Sequence, residues 1–205
     1  MSRLPDTPIL AFDTATAHCA VAVYADGRTL AQAQEVMTKG QAERLMGLCT
    51  ELMSQAGLPF EALAAIGVGV GPGNFTGIRI SVGAARGLAL GLGVPAVGIS
   101  GFDALRLGQN GPCTCVLPAR RGFHYVQRFD RNTTAPPDLV PEDAVAPHEG
   151  PRIGAGGVPP RYPTAEAIAR LTAQRYQDPQ PRPAPLYLRP ADAAPARDAA
   201  PLILP

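Results

Sequence analysis

An aspartate and two threonines directly after the first apolar run of the chain are spaced for chemistry. Asp13, Thr14 and Thr16 follow the apolar residues 9–12, and a second apolar run begins at Cys19. Such a turn can present hydroxyls and backbone N–H groups to phosphate oxygens, while the carboxylate holds a hydrated cation. The same residues also favour a plain turn, in which Asp and Thr side chains bond their own backbone. Asp13 and Thr14 are therefore candidates either for a cofactor site or for a structural turn.

A glycine-rich segment, residues 71–77, lies between a predicted strand and a predicted helix, where a helix N-terminus can bind an anion. Gly71 and Gly73 are the candidates for such contacts. The segment is not a P-loop, because the chain's only lysine is Lys39. It also has Thr76 where the third glycine of a dinucleotide-binding motif belongs. The alternative is a tight connection whose glycines let strand and helix pack closely.

Metal sites and hydrolytic nucleophiles are not indicated by the remaining polar residues. The histidines are far apart, and two cysteines two residues apart lack further zinc ligands; these residues are His18, His124, His148, Cys113 and Cys115. No serine lies in a Gly-x-Ser-x-Gly motif. Four arginines form a basic group typical of a solvated face and occasionally of an RNA contact: Arg120, Arg121, Arg128 and Arg131. We therefore predict no catalytic residue, no metal and no cofactor.

The elements that would position these residues alternate between strands and helices. The chain is predicted to open with an antiparallel meander that turns at Asp26-Gly27, a pair suited to two positive φ angles. Strands are predicted over residues 9–12, 19–24, 28–35, 64–70, 94–99, 113–117 and 123–129, with a short one within 153–158. Helices are predicted over residues 41–55, 76–92, 100–107 and 164–176, with Ser100 and Thr164 as N-caps.

Two of these helices have unusual faces. The first carries an apolar stripe at three- and four-residue intervals, formed by Leu45, Met46, Cys49, Leu52 and Met53. Leu48 widens this stripe, so one sheet is not expected to cover it completely. The second has Gly83, Gly87 and Gly91 in line, although each glycine in a helix interior costs about 1 kcal/mol relative to alanine. A glycine face allows close approach either of the chain's own sheet or of a helix from a partner.

Composition limits the class of protein. The 205 residues carry 18 Lys+Arg and 17 Asp+Glu, a balance that argues against purely electrostatic binding to nucleic acid or membranes. No signal peptide is expected, and Arg79 and Arg86 interrupt the longest apolar stretch, so no membrane segment is expected either. Four cysteines without secretory context indicate reduced thiols in a cytoplasmic protein. We predict a first lobe over residues 1–107 and a smaller, proline-rich second lobe and tail over residues 108–205.

Six motifs occur in a recognisable order: residues 9–16, 42–45, 71–80, 85–89, 95–100 and 187–189. The most specific is the string GPGNFTGIR at residues 71–79. Together the motifs resemble the bacterial TsaB family, also called YeaZ, of the threonylcarbamoyladenosine tRNA-modification machinery. The match is strong over residues 8–107 and thin beyond them.

The resemblance implies a two-lobed α/β fold of the actin/Hsp70-like (ASKHA, ribonuclease H-like) class, with mixed sheets flanked by helices. It also implies a non-catalytic scaffold that pairs with a catalytic TsaD-like subunit, joined by a TsaE-like ATPase. Contact with tRNA would be indirect, through the complex, and the chain alone would form a homodimer. The residues expected to bind the partner are Leu45, Met46, Cys49, Leu52, Met53, Arg79, Gly83, Arg86, Gly87 and Gly91.

The sequence departs from the family pattern in places that bear on catalysis. TsaD-like enzymes hold a metal through a His-x-x-x-His helix, whereas the corresponding residues 38–44 contain no histidine. Gln41 stands where histidine is common, and Pro118 precedes residues 119–120 where an acidic residue is usual. Two other functions stay open: an ATPase or kinase that uses the Asp13 turn, and a glycoprotease-like peptidase. The first needs a second acidic residue beside a phosphate loop, and the second needs a metal or a nucleophile.

Overall fold

Two mixed β-sheets flanked by helices make up residues 7–146 and 148–188, the part of the chain that the computed structural model describes. The strands are β1 (Ile9–Asp13), β2 (His18–Ala25), β3 (Arg28–Val36), β4 (Ala65–Gly69), β5 (Ala96–Ile99), β6 (Cys113–Pro118), β7 (Phe123–Phe129), β8 (Asp138–Pro141) and β9 (Arg152–Gly154). The helices are α1 (Gln41–Gln55), α2 (Phe75–Leu92), α3 (Gly101–Arg106) and α4 (Thr164–Arg175). Arg189 of the last motif and the tail that follows lie outside the described residues.

The strand order confirms the predicted α/β class. The first sheet runs β3-β2-β1-β4-β5, with an antiparallel meander at one edge and the parallel strands β1, β4 and β5 at the other. The second sheet runs β8-β7-β6-β9, in which β6 pairs parallel with β9 and antiparallel with β7. Strand β8 was not predicted, because its neighbourhood is rich in proline and reads as loop. The predicted strand within residues 153–158 is shorter and begins at Arg152.

Helices cover both faces of the first sheet, because side chains alternate between the two faces of every strand. Leu10 and Phe12 of β1 face α1 and α2, whereas Ile9 and Ala11 face α3 and α4. Helix α4 was assigned from sequence to the second lobe, but it packs against β1, β2 and β4 of the first sheet. The predicted lobe boundary at residue 107 therefore separates the strands of the two sheets. It does not account for α4, which follows the boundary in sequence but packs on the first sheet.

Three predicted turns and caps can be compared with the structure. Asp26 and Gly27 have φ of 50° and 78°, which confirms the hairpin prediction. The Ser100 hydroxyl accepts a hydrogen bond from Asp103 N–H at 3.0 Å, which confirms that cap. The prediction that Thr164 caps α4 is wrong: Pro163 occupies the N-cap position, without a side-chain hydrogen bond.

Helix α2 begins one residue before the predicted start, because Asn74 caps it. The Asn74 Oδ1 accepts hydrogen bonds from Thr76 N–H at 2.9 Å and from Gly77 N–H at 3.2 Å. An asparagine at this position satisfies backbone donors that have no partner inside the helix. The cap fixes where α2 starts and hence which of its side chains face outward.

Candidate functional site

The turn between β1 and β2 holds Asp13 in a buried, hydrogen-bonded arrangement. Asp13 is 5% exposed, and its Oδ1 accepts hydrogen bonds from Ala15 N–H at 3.0 Å and from His18 Nε2 at 2.7 Å. Asp13 therefore stabilises the turn, as in the structural alternative that the sequence left open.

The glycine-rich segment packs on this turn, backbone against backbone. The Thr14 hydroxyl donates to the Gly77 carbonyl at 2.6 Å, and Asn74 N–H donates to the Ala15 carbonyl at 2.6 Å. A Cβ on Gly73 would overlap the Ala15 carbonyl oxygen, and a Cβ on Gly77 would overlap that of Thr14. Glycine is required here for close approach. The Thr14 hydroxyl and the Asn74 N–H are consequently used within the chain rather than presented to a phosphate.

Gly71, the remaining cofactor candidate, also has an internal role. It has a φ of 94°, which favours glycine, and it precedes a cis peptide bond to Pro72. Its carbonyl accepts a hydrogen bond from Gly101 N–H at 2.8 Å. Gly71 thereby connects the start of the glycine-rich segment to the start of α3.

A cavity of about 260 Å³ lies beside the turn, between the first sheet and the second. Its lining includes Asp13, Thr16 and His18 as well as apolar side chains such as Leu105 and Leu117. Neither lysine nor arginine lines this cavity among the described residues. Phosphate groups are bound most strongly by cationic donors. The lining therefore does not fit the polyphosphate of a nucleotide, and Asp13 is the one carboxylate among the described residues that line it.

A threonine, a histidine and an aspartate meet in this cavity without the alignment of a catalytic triad. The Thr16 hydroxyl oxygen lies 2.9 Å from Nδ1 of His18 and 3.4 Å from its Nε2. An oxygen on the lone-pair axis of Nδ1 would lie far from Nε2, which is across the ring. The hydroxyl therefore lies beside the imidazole and is not positioned to give it a proton. The cluster does not favour a peptidase.

The start of α1 does not fit a metal site. Gln41 is 9% exposed, and its Nε2 donates to the Met37 carbonyl at 3.2 Å. Its side chain is thus turned into the chain and used there. Within residues 7–146 and 148–188, no three His, Cys, Asp or Glu side chains come together as metal ligands.

The four cysteines are free and buried. Burial raises the pKa of Cys19 to about 11 and that of Cys49 to about 12. Burial, followed by the neighbouring Cys113, also raises the pKa of Cys115. Zinc binds the thiolate form, which these environments disfavour near neutral pH. Burial therefore disfavours zinc binding at Cys115 of β6.

The four arginines that were grouped by sequence do not form one patch. Arg120 and Arg121 lie at the turn between β6 and β7, whereas Arg128 and Arg131 lie at the opposite end of this hairpin. Arg131 pairs with Glu149 at 3.4 Å. The separation does not favour a single RNA contact.

Four of the five apolar residues assigned to a partner face on α1 lie in the chain's own core. Leu45, Cys49, Leu52 and Met53 are each at most 4% exposed, because α1 packs on β2 and β3. The chain's own sheet therefore covers most of the stripe, and these four side chains are not exposed to a partner. Met46 is 38% exposed and remains available to a partner.

The glycine face of α2 points away from the sheet. Gly83, Gly87 and Gly91 are exposed, and a Cβ added to any of them would meet no heavy atom within 4 Å. The alternative that these glycines pack against the chain's own sheet is therefore wrong. Leu90, on the same side of the helix, is 82% exposed and was not identified from the sequence. Its position between Gly87 and Gly91 in the sequence was the signal that could have identified it as an exposed residue of this face.

Arg79 and Arg86, also predicted to bind the partner, contact the end of the described chain. Arg79 Nε donates to the Tyr187 hydroxyl at 3.0 Å, and Arg86 Nε donates to the Pro183 carbonyl at 2.8 Å. We call residues 183–188 the C-terminal strap. Sequence reasoning took this region as extended tail, although the apolar residues after Pro185 interrupt its proline- and alanine-rich composition.

Comparisons with known proteins agree with this geometry. The family model described as TsaD, tRNA N6-adenosine threonylcarbamoyltransferase, matches residues 32–185. The tRNA threonylcarbamoyladenosine biosynthesis protein TsaB of Escherichia coli is 34% identical over 129 residues, 60% of this chain and 55% of that protein. An uncharacterized protein of Mycobacterium leprae is 33% identical over 202 residues, 91% of this chain and 56% of that protein. The chain thus spans little more than half the length of these two curated relatives.

A solved structure supports the two-lobed fold that the motifs implied. It is the crystal structure of an uncharacterized protein with similarity to peptidase YeaZ from Pseudomonas aeruginosa. The TM-score is 0.73 at 26% identity, and the match covers 89% of this chain and all of that one. In the described part of the chain, the helices are too short or too polar to cross a membrane.

Removing the Thr14 hydroxyl should destabilise the fold. In Thr14→Val the buried Gly77 carbonyl loses its donor, and we expect the free energy of unfolding to fall by about 1–3 kcal/mol in urea denaturation. Thr16→Val is the matched control, because the Thr16 hydroxyl is only part-buried and poorly aligned with its neighbour. A larger loss for Thr16→Val than for Thr14→Val would contradict the structural role of Thr14.

Alanine on the glycine face of α2 should stabilise the monomer, measured at concentrations too low for self-association. Gly83→Ala and Gly87→Ala should each raise the free energy of unfolding by about 1 kcal/mol, because helix propensity improves and nothing clashes. Gly77→Ala should lower it, since its Cβ would overlap the Thr14 carbonyl. A loss of stability in Gly87→Ala under these conditions would show that this face is packed within the monomer.

Proposed function

We propose that this chain acts in the biosynthesis of tRNA threonylcarbamoyladenosine. The chain belongs to the TsaB (YeaZ) family of the tRNA N6-adenosine threonylcarbamoyltransferase proteins, and this membership is the premise of the proposal. Its role is that of a non-catalytic scaffold subunit. The proposal implies a cytoplasmic protein, because tRNA is modified in that compartment. The observation that carries the scaffold role is the uncovered glycine face of α2.

The partner is a TsaD-like catalytic subunit whose helices pack on α2 and on the exposed side of α1. A TsaE-like ATPase joins this pair, and tRNA is contacted indirectly through the complex. Packed helices usually lie 8–10 Å apart, and glycines such as Gly83 and Gly87 allow the shorter end of that range. Docking would also bury Leu90 and Met46, which are 82% and 38% exposed. Without its partner, the same face would pair with a second copy in a two-fold dimer.

The described residues favour a subunit that assists catalysis over one that performs it. Asp13 is held by its own turn, and Thr16 is not aligned with His18. Gln41 bonds the backbone where a metal ligand would be needed. To act as a nucleophile, a metal ligand or a phosphate-site carboxylate, these groups would need another arrangement. We therefore assign catalysis in the complex to the TsaD-like partner.

Gly87→Leu tests the docking face directly. A leucine there would hold a partner helix away from α2, so we expect the affinity for the TsaD-like subunit to fall by about 100-fold or more. Since the added side chain has free space and leucine favours helix, the variant should remain folded. Isothermal titration calorimetry with the TsaD-like subunit of the same organism measures the affinity, and a reconstituted tRNA-modification assay measures activation.

The matched control is Gln174→Leu, which places the same side chain on an exposed position of α4, across the first sheet. It should bind and activate as the unaltered chain does. If folded Gly87→Leu binds and activates normally, the glycine face is not the interface and the proposed partner surface is wrong.

Assays of the isolated chain test the non-catalytic role. It should neither release phosphate from ATP nor cleave peptide bonds at a meaningful rate. Asp13→Asn should lower the melting temperature, because a charged hydrogen-bond acceptor contributes about 1.5–3 kcal/mol, while tRNA modification in the reconstituted system stays near normal. ATP hydrolysis that survives a change of purification route and disappears in Asp13→Ala would instead identify an ATPase. Loss of modification with unchanged melting would give Asp13 a ligand role.

A further inference from the structure

Arg79 and Arg86 lie along one edge of the glycine face. They are seven residues apart on α2, which places them on the same side of the helix at a separation of about 10 Å along its axis. Both are exposed. Between them, toward the centre of the face, lies Gly83, where the surface falls to the level of the backbone.

The C-terminal strap orients both guanidinium groups. It is anchored to the first sheet, where Leu186 N–H donates to the Val70 carbonyl at 2.8 Å. Tyr187 stacks on Phe75 with ring centroids 4.7 Å apart, and Arg79 Cζ lies 3.8 Å from the Phe75 centroid. Arg79 and Arg86 each bond the strap through Nε. Within residues 7–146 and 148–188, the hydrogen bonds of these two side chains are made through Nε, so their terminal nitrogens remain available to a partner.

Neither arginine has a carboxylate partner within residues 7–146 and 148–188. Helix α2 has no acidic residue, so these two cations are its only charges. A helix with its side chains is about 10 Å across. A partner helix packed on Gly83 would therefore lie beside both arginines. Complementary charge at such a position increases selectivity and association rate.

We propose that Arg79 and Arg86, held by the C-terminal strap, select a partner helix that carries two carboxylates about two turns apart beside its small or apolar residues. This inference rests on the proposed docking at α2. It deepens that proposal by stating the chemistry of the partner's surface and by giving the strap a part in recognition.

A second copy of this chain supplies that chemistry poorly. Its α2 brings arginines and no carboxylate. On its α1, Glu51 is already bound to Arg44 at 2.6 Å, which leaves Glu43 as the only unpaired acid of that helix among the described residues. The arginine pair therefore favours a different, acidic helix over self-association.

The experiment compares the affinity of charge variants for the TsaD-like subunit of the same organism. The double variant Arg79→Glu/Arg86→Glu should bind at least about tenfold more weakly at about 0.1 M salt. The difference should shrink at about 1 M salt, where the Debye length falls from about 10 Å to about 3 Å. Arg28→Glu makes the same charge change at an exposed arginine of β3, on the opposite edge of the sheet, and should bind normally. Self-association of the unaltered chain, measured by sedimentation, should show little salt dependence.

Two further variants separate charge from folding. Arg79→Gln/Arg86→Gln removes the charges without reversing them and should weaken binding by a smaller factor. Tyr187→Phe keeps the stack on Phe75 but removes the hydroxyl that orients Arg79, and it should weaken binding modestly without a change in melting temperature.

Normal binding by the double glutamate variant would overturn the inference, as would a loss equal at both salt concentrations. Comparison with Gly87→Leu distinguishes failure of the arginine inference from failure of the proposed docking at α2. If Gly87→Leu abolishes binding and the arginine variants do not, docking at α2 stands and the arginine pair has no part in it. If all of these variants bind normally, α2 is not the interface and both proposals fail.

Discussion

The backbone of the turn after β1 lies directly against the backbone of the glycine-rich segment, and the site depends on this contact. Thr14 bonds the Gly77 carbonyl, Asn74 bonds the Ala15 carbonyl, and side chains at residues 73 and 77 would prevent the approach. The hydrogen-bonding groups of the turn are thereby used within the chain. The same contact fixes the start of α2, because Asn74 both touches the turn and caps the helix.

With its start fixed, α2 turns Ile78, Val82 and Ala85 toward the first sheet and its glycines outward. In the described part of the chain, no packing contact at these glycines offsets their low helix propensity. The C-terminal strap then lies along the edge of α2 and continues to Leu188, which packs on the core of the second sheet. Residues of the strap and of the first turns of α1 and α2 line one groove, whereas the cavity between the sheets is lined by the turn after β1 together with α3, β6 and the segment before α4.

The sequence allowed most elements of the first sheet to be predicted, because apolar spacing and the turn at Asp26-Gly27 are local signals. It did not reveal that α1 buries Leu45 and Met53, since a stripe shows amphipathicity but not which surface covers it. The placement of α4 and the strap likewise depends on contacts between residues far apart in the chain. The glycine spacing identified the face correctly, and only three-dimensional packing could decide whether that face points inward or outward.

Hydrogen exchange of the chain, alone and bound to a TsaD-like subunit, tests most directly whether α2 is the docking surface. The account predicts that binding slows exchange of amides along Phe75–Leu92 and of the strap, since docking excludes water from that surface. Residues of the turn after β1 should exchange at the same rate in both states, because their hydrogen bonds are already made within the chain. Slowed exchange at the turn and around the cavity, with α2 unchanged, would contradict the account.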